Sequence, residues 1–257
     1  MEKKRTRSRK IPGKLAAGML CVGALSAVVG GTMAYLTDHK EAVNTFTVGK
    51  VSIEGEEPGW NPDGDDKPGG IAKDVQPVQS WKKDPRIRNT GKNDAYVYME
   101  VSVPVADAVY VDADGIRANK GKASHIELFE FDGKDNVSQT MQTGIGVSEQ
   151  NDSWSLLYKK EVDGNMVYTF CYNEILSPGK TTDTLFDRIT FANLVEGQLD
   201  GQTLDVTVGY YAIQTLNTGG GEKTVPEQAK HAFDKYIVQN LGQDGAVVNA
   251  NGLDAEK

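Results

Sequence analysis

Apolar and polar side chains alternate along two long stretches of the chain. The first has apolar residues at every second position: Ala95, Val97, Met99, Val101 and Val103. The second has the same pattern: Leu204, Val206, Val208, Tyr210 and Ala212. Strict alternation places every second side chain on one face of a strand, so both stretches predict half-buried β-strands.

Further strand candidates are short segments rich in β-branched and aromatic residues: 126–131, 154–159, 166–172 and 185–191. Turn sequences separate them: Asp132-Gly133, Asp163-Gly164-Asn165, Ser177-Pro178-Gly179 and Asp200-Gly201. A change of parity between Phe46 and Ile53 predicts a bulge at Gly49-Lys50. Many short strands joined by such turns predict a mainly β protein, an antiparallel jelly-roll or Greek-key β-sandwich.

Near the C-terminus the apolar spacing changes from two residues to three and four. This spacing over residues 226–241 predicts a helix, with Pro226 at its first position and Gly242 as a stop signal. Residues 54–80 and 104–124 interrupt the strand pattern and predict a long loop and a surface excursion. The predicted organisation is a signal peptide (1–34), an N-terminal segment (35–44), a β-sandwich domain (45–216), a Gly-rich linker (217–225), the helix and a tail (242–257).

The first 34 residues have the pattern of an export signal. Seven basic residues and one acidic residue precede Leu15–Val29, an uncharged run of 15 residues. That run suits a signal peptide and is short for a membrane-spanning helix, which needs about 20 residues. Small residues at Thr32 and Ala34 predict cleavage between Ala34 and Tyr35. The alternative is that the segment is not cleaved and anchors the chain in the membrane, because extension through Leu36 makes it long enough to span a bilayer. We expect contact with a membrane only through this uncleaved segment.

The charge and the cysteine content argue against a nucleic-acid partner and against an internal disulfide. The chain of 257 residues has a formal charge of −8, and residues 35–257 alone hold 21 basic and 35 acidic side chains, which gives −14. An acidic surface repels phosphate, so we expect no nucleic-acid partner. After cleavage Cys171 is the remaining cysteine. It cannot form an internal disulfide, and its strand-like neighbours predict a buried thiol.

Several motifs together resemble the TasA/camelysin family of exported proteins from Gram-positive bacteria. They are Gly30–Asp38, Asn44–Gly49, Lys83–Gly91 with Ala95–Met99, Thr184–Phe186 and Tyr210–Gln214. The resemblance implies a jelly-roll sandwich and a SipW-type signal peptidase as processing partner. Members include the main fibre protein of a biofilm matrix and a cell-surface protein classed as a metallopeptidase. The implied location is therefore the cell surface or the extracellular matrix.

The matrix-fibre members imply that this chain is a filament subunit. In them, the segment freed by signal cleavage docks as a strand in the sheet of the next subunit, which uses the physics of strand addition. Such head-to-tail contact produces open filaments of self-associated copies, or of this chain with a related matrix subunit. The alternative is a frayed N-terminus. The candidate donor residues are Tyr35, Leu36, Thr37, Asp38, Ala42, Val43 and Asn44.

The metallopeptidase members imply an enzymatic alternative. A zinc peptidase usually carries a His-Glu-x-x-His helix, and this chain has only His39, His125 and His231, without that spacing. The sequence also lacks a Gly-x-Ser-x-Gly elbow. We therefore expect no enzymatic activity and keep the metallopeptidase as an alternative.

Two acidic stretches have the oxygen ligands that calcium prefers. Asp63, Asp65 and Asp66 form one group, and Asp112 and Asp114 form the other. Neither completes an EF-hand, so solvated loops are the competing interpretation, and no cofactor other than calcium is expected.

Three tryptophans suggest a further alternative, a carbohydrate-binding surface module. Trp60, Trp81 and Trp154 would supply the aromatic platform, whereas burial in a sandwich core is the competing interpretation. Trp81 follows Ser80 and precedes Lys82-Lys83. It is the tryptophan whose exposure decides between the two.

Overall fold

The computed structural model describes residues 51–62, 64, 72–133, 143–218 and 222–241. The predicted signal segment, the Ala34–Tyr35 cleavage site, the donor segment 35–44, the Gly49-Lys50 bulge and the tail 242–257 lie outside the described residues. The predictions made for them are not tested by the fold.

The described part of the chain is mainly β, as the alternation predicts. Its strands and α-helix are β1 (Ile53–Glu56), β2 (Ser80–Lys82), β3 (Arg86–Asn89), β4 (Ala95–Ala108), β5 (Ser124–Glu127), β6 (Phe129–Asp132), β7 (Trp154–Val162), β8 (Asn165–Tyr172), β9 (Arg188–Phe191), β10 (Thr207–Gln214) and α1 (Val225–Leu241). A short 3-10 turn at Ala118–Gly121 lies between β4 and β5.

All paired strands are antiparallel and form three sheets. The largest has the order β10-β4-β8-β7, and β5 pairs with the C-terminal end of β4. A second sheet has the order β2-β9-β6, and β1 pairs with β3. Asp163 and Gly164 form the tight turn of the β7–β8 hairpin, where both have positive φ angles (48° and 77°), as a two-residue Asp-Gly turn requires.

The two faces of β4 pack against different neighbours. The apolar residues of its predicted alternation lie in the main core, together with Phe131 and Ile189 of the three-stranded sheet. The intervening residues Tyr96 and Tyr98 face the other way and pack against α1. The largest sheet is therefore covered on one face by the core and on the other by the helix, which is what the period-two pattern requires.

Helix α1 begins one residue before the predicted start. Thr224 and Glu227 form a capping box, in which the Glu227 carboxylate accepts a hydrogen bond from the Thr224 backbone N–H (3.1 Å) and the Thr224 hydroxyl accepts one from the Glu227 N–H (3.4 Å). Ala229 and Phe233 are buried against the sheet. In the described part of the chain, no helix has the length and apolar character needed to cross a membrane.

Some boundaries differ from the predicted ones. The stretch 126–131 divides into β5 and β6 because Leu128 turns into the core and its N–H bonds to the Pro104 carbonyl (2.9 Å). The second alternating stretch forms a regular strand only from Thr207. Strands β1 and β2 occupy the two ends of the predicted loop 54–80, and β4 extends into the predicted excursion 104–124.

Candidate functional site

Strand β10 is the end of the largest sheet in the described strand order. It pairs with β4 from Thr207↔Ser102 to Gln214↔Ala95 without a bulge. None of its eight residues is charged. Charges, prolines and bulges are the usual features that keep the end strand of a sheet from pairing further, and β10 has none of these.

The direction of the β10 backbone follows from one hydrogen bond. The Thr215 N–H donates to the Asp94 carbonyl, so Thr215 and Asp94 form a bonded pair in the β4–β10 register. In an antiparallel ladder bonded and non-bonded pairs alternate. The backbone groups of Val208 and Ala212 therefore point away from β4. Within the described residues no backbone hydrogen bond reaches these two positions.

The side chains of β10 hold the strand in a fixed register. Val208, Tyr210 and Ala212 are buried in the main core. The Tyr210 hydroxyl donates to the Glu57 carboxylate (3.1 Å), and Gly55 lies directly under the Tyr210 ring, where any side chain would collide with it. If β10 shifted by one residue relative to β4, these buried apolar side chains would turn to the other face of the sheet. Their burial therefore fixes the register of β10.

A buried ion pair supports this end of the fold. Lys83 and Glu57 lie 2.5 Å apart with side-chain exposures of 6% and 7%. The Lys83 ammonium also sits 4.9 Å from the centre of the Trp60 ring. The Asp84 carboxylate accepts a hydrogen bond from the Gly59 N–H (2.5 Å). These contacts hold the chain after β1 against the segment that joins β2 to β3.

Strand β7, at the other end of the largest sheet, is a different kind of strand. It has a register shift between Leu156 and Tyr158 and carries the charged run Lys159-Lys160-Glu161. Lys159 pairs with Glu127 of β5 at 2.8 Å. Bulges and lysines on an end strand discourage further pairing. The two ends of the sheet therefore differ in their ability to accept another strand.

A cleft of about 730 Å³ opens beside β2, and we call it the Trp81 cleft. Trp81 is half-buried and shares a sheet face with its cross-strand partner Ile189. The rings of Phe129 and Phe191, 5.1 Å apart, line its buried part. The walls are residues 72–77, residues 194–202 and Leu204.

The acidic loop of the predicted calcium site forms an ordinary turn. The Asp112 carboxylate accepts hydrogen bonds from the N–H groups of Asp114 (3.1 Å) and Ile116 (2.8 Å). Asp63, Asp65 and Asp66 lie outside the described residues. Within the residues that the structure covers, no group of three or more His, Cys, Asp and Glu side chains is arranged to hold a metal ion.

The two histidines among the described residues have different acidic partners. His39 lies outside the described residues, and His231 on α1 contacts Glu222 at 3.0 Å. His125 lies between Asp107 (2.9 Å) and Glu161 (3.0 Å) on the surface. Hydrogen bonds first to Asp107 and then to Glu161 raise the pKa of His125 above 6.5. Both ring nitrogens are engaged by carboxylates, an arrangement that links β4, β5 and β7.

The tryptophans and the cysteine lie largely in cores. Trp60 and Trp154 are 1% and 2% exposed, so they present no face for a ligand, and the predicted three-tryptophan platform is not formed. Trp81 alone of the three lines a cleft. Cys171 is fully buried beneath α1, as predicted, and burial raises the pKa of its thiol to about 12. Such a thiol is chemically inert.

Sequence reasoning missed the buried Lys83–Glu57 pair and the Trp81 cleft. The two partners of the pair are 26 residues apart, and each stands among charged or turn-forming neighbours that predict exposure. The cleft walls come from two loops that are distant in sequence. The one available signal was Trp81 beside a predicted strand.

Comparison of the chain with known protein families, characterised proteins and solved structures found no match. The resemblance to the TasA/camelysin family therefore stays a prediction from sequence motifs.

Proposed function

We propose that this chain is an exported matrix or cell-surface subunit of a Gram-positive bacterium. In this proposal the signal segment is removed after Ala34 by a SipW-type peptidase. The freed segment Tyr35–Asn44 then adds as a strand to β10 of the next copy, or of a related subunit. Repetition of this contact produces a filament. We also propose that residues 45–216 form a jelly-roll β-sandwich.

The observation that carries the proposal is the contrast between the two ends of the largest sheet. β10 is uncharged, regular and held in register by buried side chains, whereas β7 is bulged and charged. Strand addition gains its affinity from backbone hydrogen bonds and its register from side chains that fit alternate positions. β10 offers the backbone groups of Val208 and Ala212 for such hydrogen bonds, and its buried side chains hold it in a fixed register.

Removal of the signal segment explains how assembly would be timed. Before cleavage, Tyr35 is joined to a membrane-bound segment and cannot reach a neighbour's sheet. After cleavage, the segment 35–44 is a chain terminus. The formal charge of −14 on residues 35–257 keeps the subunits soluble until a specific contact forms.

The test is a titration of isotope-labelled residues 45–257 with a synthetic Tyr35–Asn44 peptide, followed by amide NMR. We expect chemical-shift changes and slowed hydrogen exchange at Val208 and Ala212, because a new strand protects outward N–H groups. The control is a peptide of the same composition in scrambled order. Changes at β7 instead of β10, or equal changes with the scrambled peptide, would contradict the assignment of β10 as the acceptor.

The metallopeptidase alternative has no supporting observation in the described residues. Of the two described histidines, His125 uses both ring nitrogens in contacts with carboxylates, and His231 contacts Glu222.

A further inference from the structure

We propose that the Trp81 cleft binds a neutral oligosaccharide built from gluco-configured pyranose units. This site is separate from the β10 backbone, so it does not depend on strand donation. The cleft volume of about 730 Å³ lies within the range of roughly 300–1,000 Å³ typical of small-ligand sites.

The aromatic part of the cleft suits a sugar ring. Trp81 lies on β2, which is an end strand of the sheet β2-β9-β6. Its side chain is half-buried and lines the cleft, so part of the ring is open to a ligand. An aromatic face is electronegative. Gluco-configured pyranoses carry their hydroxyls equatorially and present axial C–H groups, which are weakly positive, on both faces. Stacking on Trp81 is therefore favourable for this sugar class.

The rim of the cleft carries groups that accept hydrogen bonds from hydroxyls. Asp74, Glu196 and Asp200 are exposed carboxylates at the rim, beside the amide of Gln202. An ionised carboxylate is an acceptor only and bonds well to hydroxyl donors. Lys73 is the single basic residue among those that line the cleft. The excess of carboxylates favours a neutral ligand and disfavours a phosphorylated or uronic-acid ligand.

One wall of the cleft is fixed by hydrogen bonds. The Gln198 amide nitrogen donates to the carbonyls of Val109 (2.7 Å) and Val195 (2.9 Å), and its oxygen accepts from the Val109 N–H (2.7 Å). This side chain therefore holds the loop 194–204 against the segment that follows β4. A wall that is fixed before binding costs little ordering entropy when a ligand enters.

The opposite wall is fixed in a similar way. The Val78 N–H donates to the Phe191 carbonyl (3.1 Å), and the Phe191 N–H donates to the Gln79 carbonyl (2.9 Å). Val78 has a φ of 57°, an uncommon conformation for a β-branched residue. These bonds hold residues 78 and 79 against Phe191, and the Gln79 N–H donates to the Gln76 carbonyl (3.1 Å), which fixes the end of the wall 72–77.

The experiment is a calorimetric titration of the full chain, purified in a sugar-free zwitterionic detergent. The probes are cellotriose and triacetylchitotriose, with trigalacturonate as the anionic comparison. We expect a dissociation constant of about 1 mM or tighter for at least one neutral trisaccharide. Trigalacturonate should bind at least about tenfold more weakly, since the rim carboxylates repel it.

Variants localise the binding. Trp81→Ala should weaken it at least about tenfold, whereas Trp81→Tyr, which keeps an aromatic face, should stay within about threefold. Leu216→Ala, at a 70% exposed residue that does not line the cleft, is the surface control and should bind like the parent chain. Circular dichroism verifies that each variant is folded.

Three results would overturn the proposal. They are no binding of either neutral trisaccharide, equal binding of trigalacturonate, and a Trp81→Ala variant that binds like the parent chain. Displacement of the sugar by the Tyr35–Asn44 peptide would assign the cleft to strand docking and also overturn it. The first three results leave the filament proposal unchanged, whereas displacement by the peptide would also contradict β10 as the acceptor strand.

Discussion

Lys83 and Lys82 are neighbours in sequence and have opposite environments. Lys83 is buried against Glu57 and the Trp60 ring, whereas the Lys82 side chain is 67% exposed and lies 3.9 Å from Asp84. Removing one partner of a buried ion pair leaves the other charge uncompensated in a poorly solvated site. The Lys82 ammonium is mostly in water, so its contact with the buried Asp84 carboxylate, which also accepts the Gly59 N–H, is screened and contributes little.

The first prediction compares these two lysines. Lys83→Ala should lower the free energy of unfolding by about 3–5 kcal/mol, because Glu57 then stays buried without its cation. Lys82→Ala, the matched control, should change it by no more than about 1 kcal/mol. Urea unfolding followed by tryptophan fluorescence measures both. Equal losses for the two variants would show that the Lys83–Glu57 pair does not stabilise the fold.

A second prediction concerns the pH response of His125. Its pKa is raised by Asp107 and Glu161, so its charged form is favoured in the folded state. This stabilisation is fully present below the unfolded pKa of about 6.5 and is lost as the pH rises through the raised folded value. NMR titration should give a midpoint above 6.5 for the parent chain. The midpoint should return towards 6.5 in a variant with Asp107→Asn and Glu161→Gln. A parent midpoint at or below 6.5 would contradict the contacts.

Helix α1 acts as a cover for one face of the largest sheet. Phe233 packs on Tyr98, with ring centres 4.9 Å apart, and the Tyr98 hydroxyl donates to the Ala229 carbonyl (2.7 Å). The Cys171 thiol belongs to the same cluster. Its reactivity therefore reports whether the helix is docked.

The third prediction uses that thiol. In a Cys21→Ser background, Cys171 should resist a thiol reagent at pH 8, since it is buried and its pKa is raised to about 12. Phe233→Ala should weaken the docking of α1 by about 3–5 kcal/mol and speed the labelling of Cys171. Lys235→Ala, at an exposed position of the same helix, is the control and should leave the rate unchanged. Equally slow labelling in both variants would mean that α1 does not shield Cys171.

The secondary-structure elements could be predicted from sequence wherever the pattern of apolar residues was long. Alternation predicted β4, apolar content predicted β8, and apolar residues three and four positions apart predicted α1. β2 and β3 were missed because each has only three or four residues, many of them charged. The break at Leu128 was missed because it depends on a bond to Pro104, a long-range contact that no local pattern contains.

In the candidate site, too, local features could be predicted from sequence and long-range contacts could not. The β10 pattern predicted a strand, but its place at the end of the sheet follows from the pairing of β4 with β8, which periodicity does not give. The Trp81 cleft forms between two loops that are distant in sequence. The burial of Trp60 and Lys83 results from their mutual packing with Glu57, and their local sequence predicts exposure.

Taken together, the described residues form an antiparallel scaffold in which, we propose, β10 is the strand that accepts another strand. β7 is protected by its bulge and charges, and α1 covers the outer face of the sheet. β10 stays regular and uncharged. A head-to-tail contact that uses the N-terminal segment of one copy and β10 of the next does not close on itself, so it extends into a filament.

The most direct test is negative-stain electron microscopy of residues 35–257 beside residues 45–257 at matched concentration. We expect filaments from the first and monomers from the second, because only the first contains Tyr35–Asn44. Circular dichroism verifies that both are folded. Filaments from both would place assembly elsewhere in the chain and contradict strand donation. Monomers from both would contradict self-assembly by this segment.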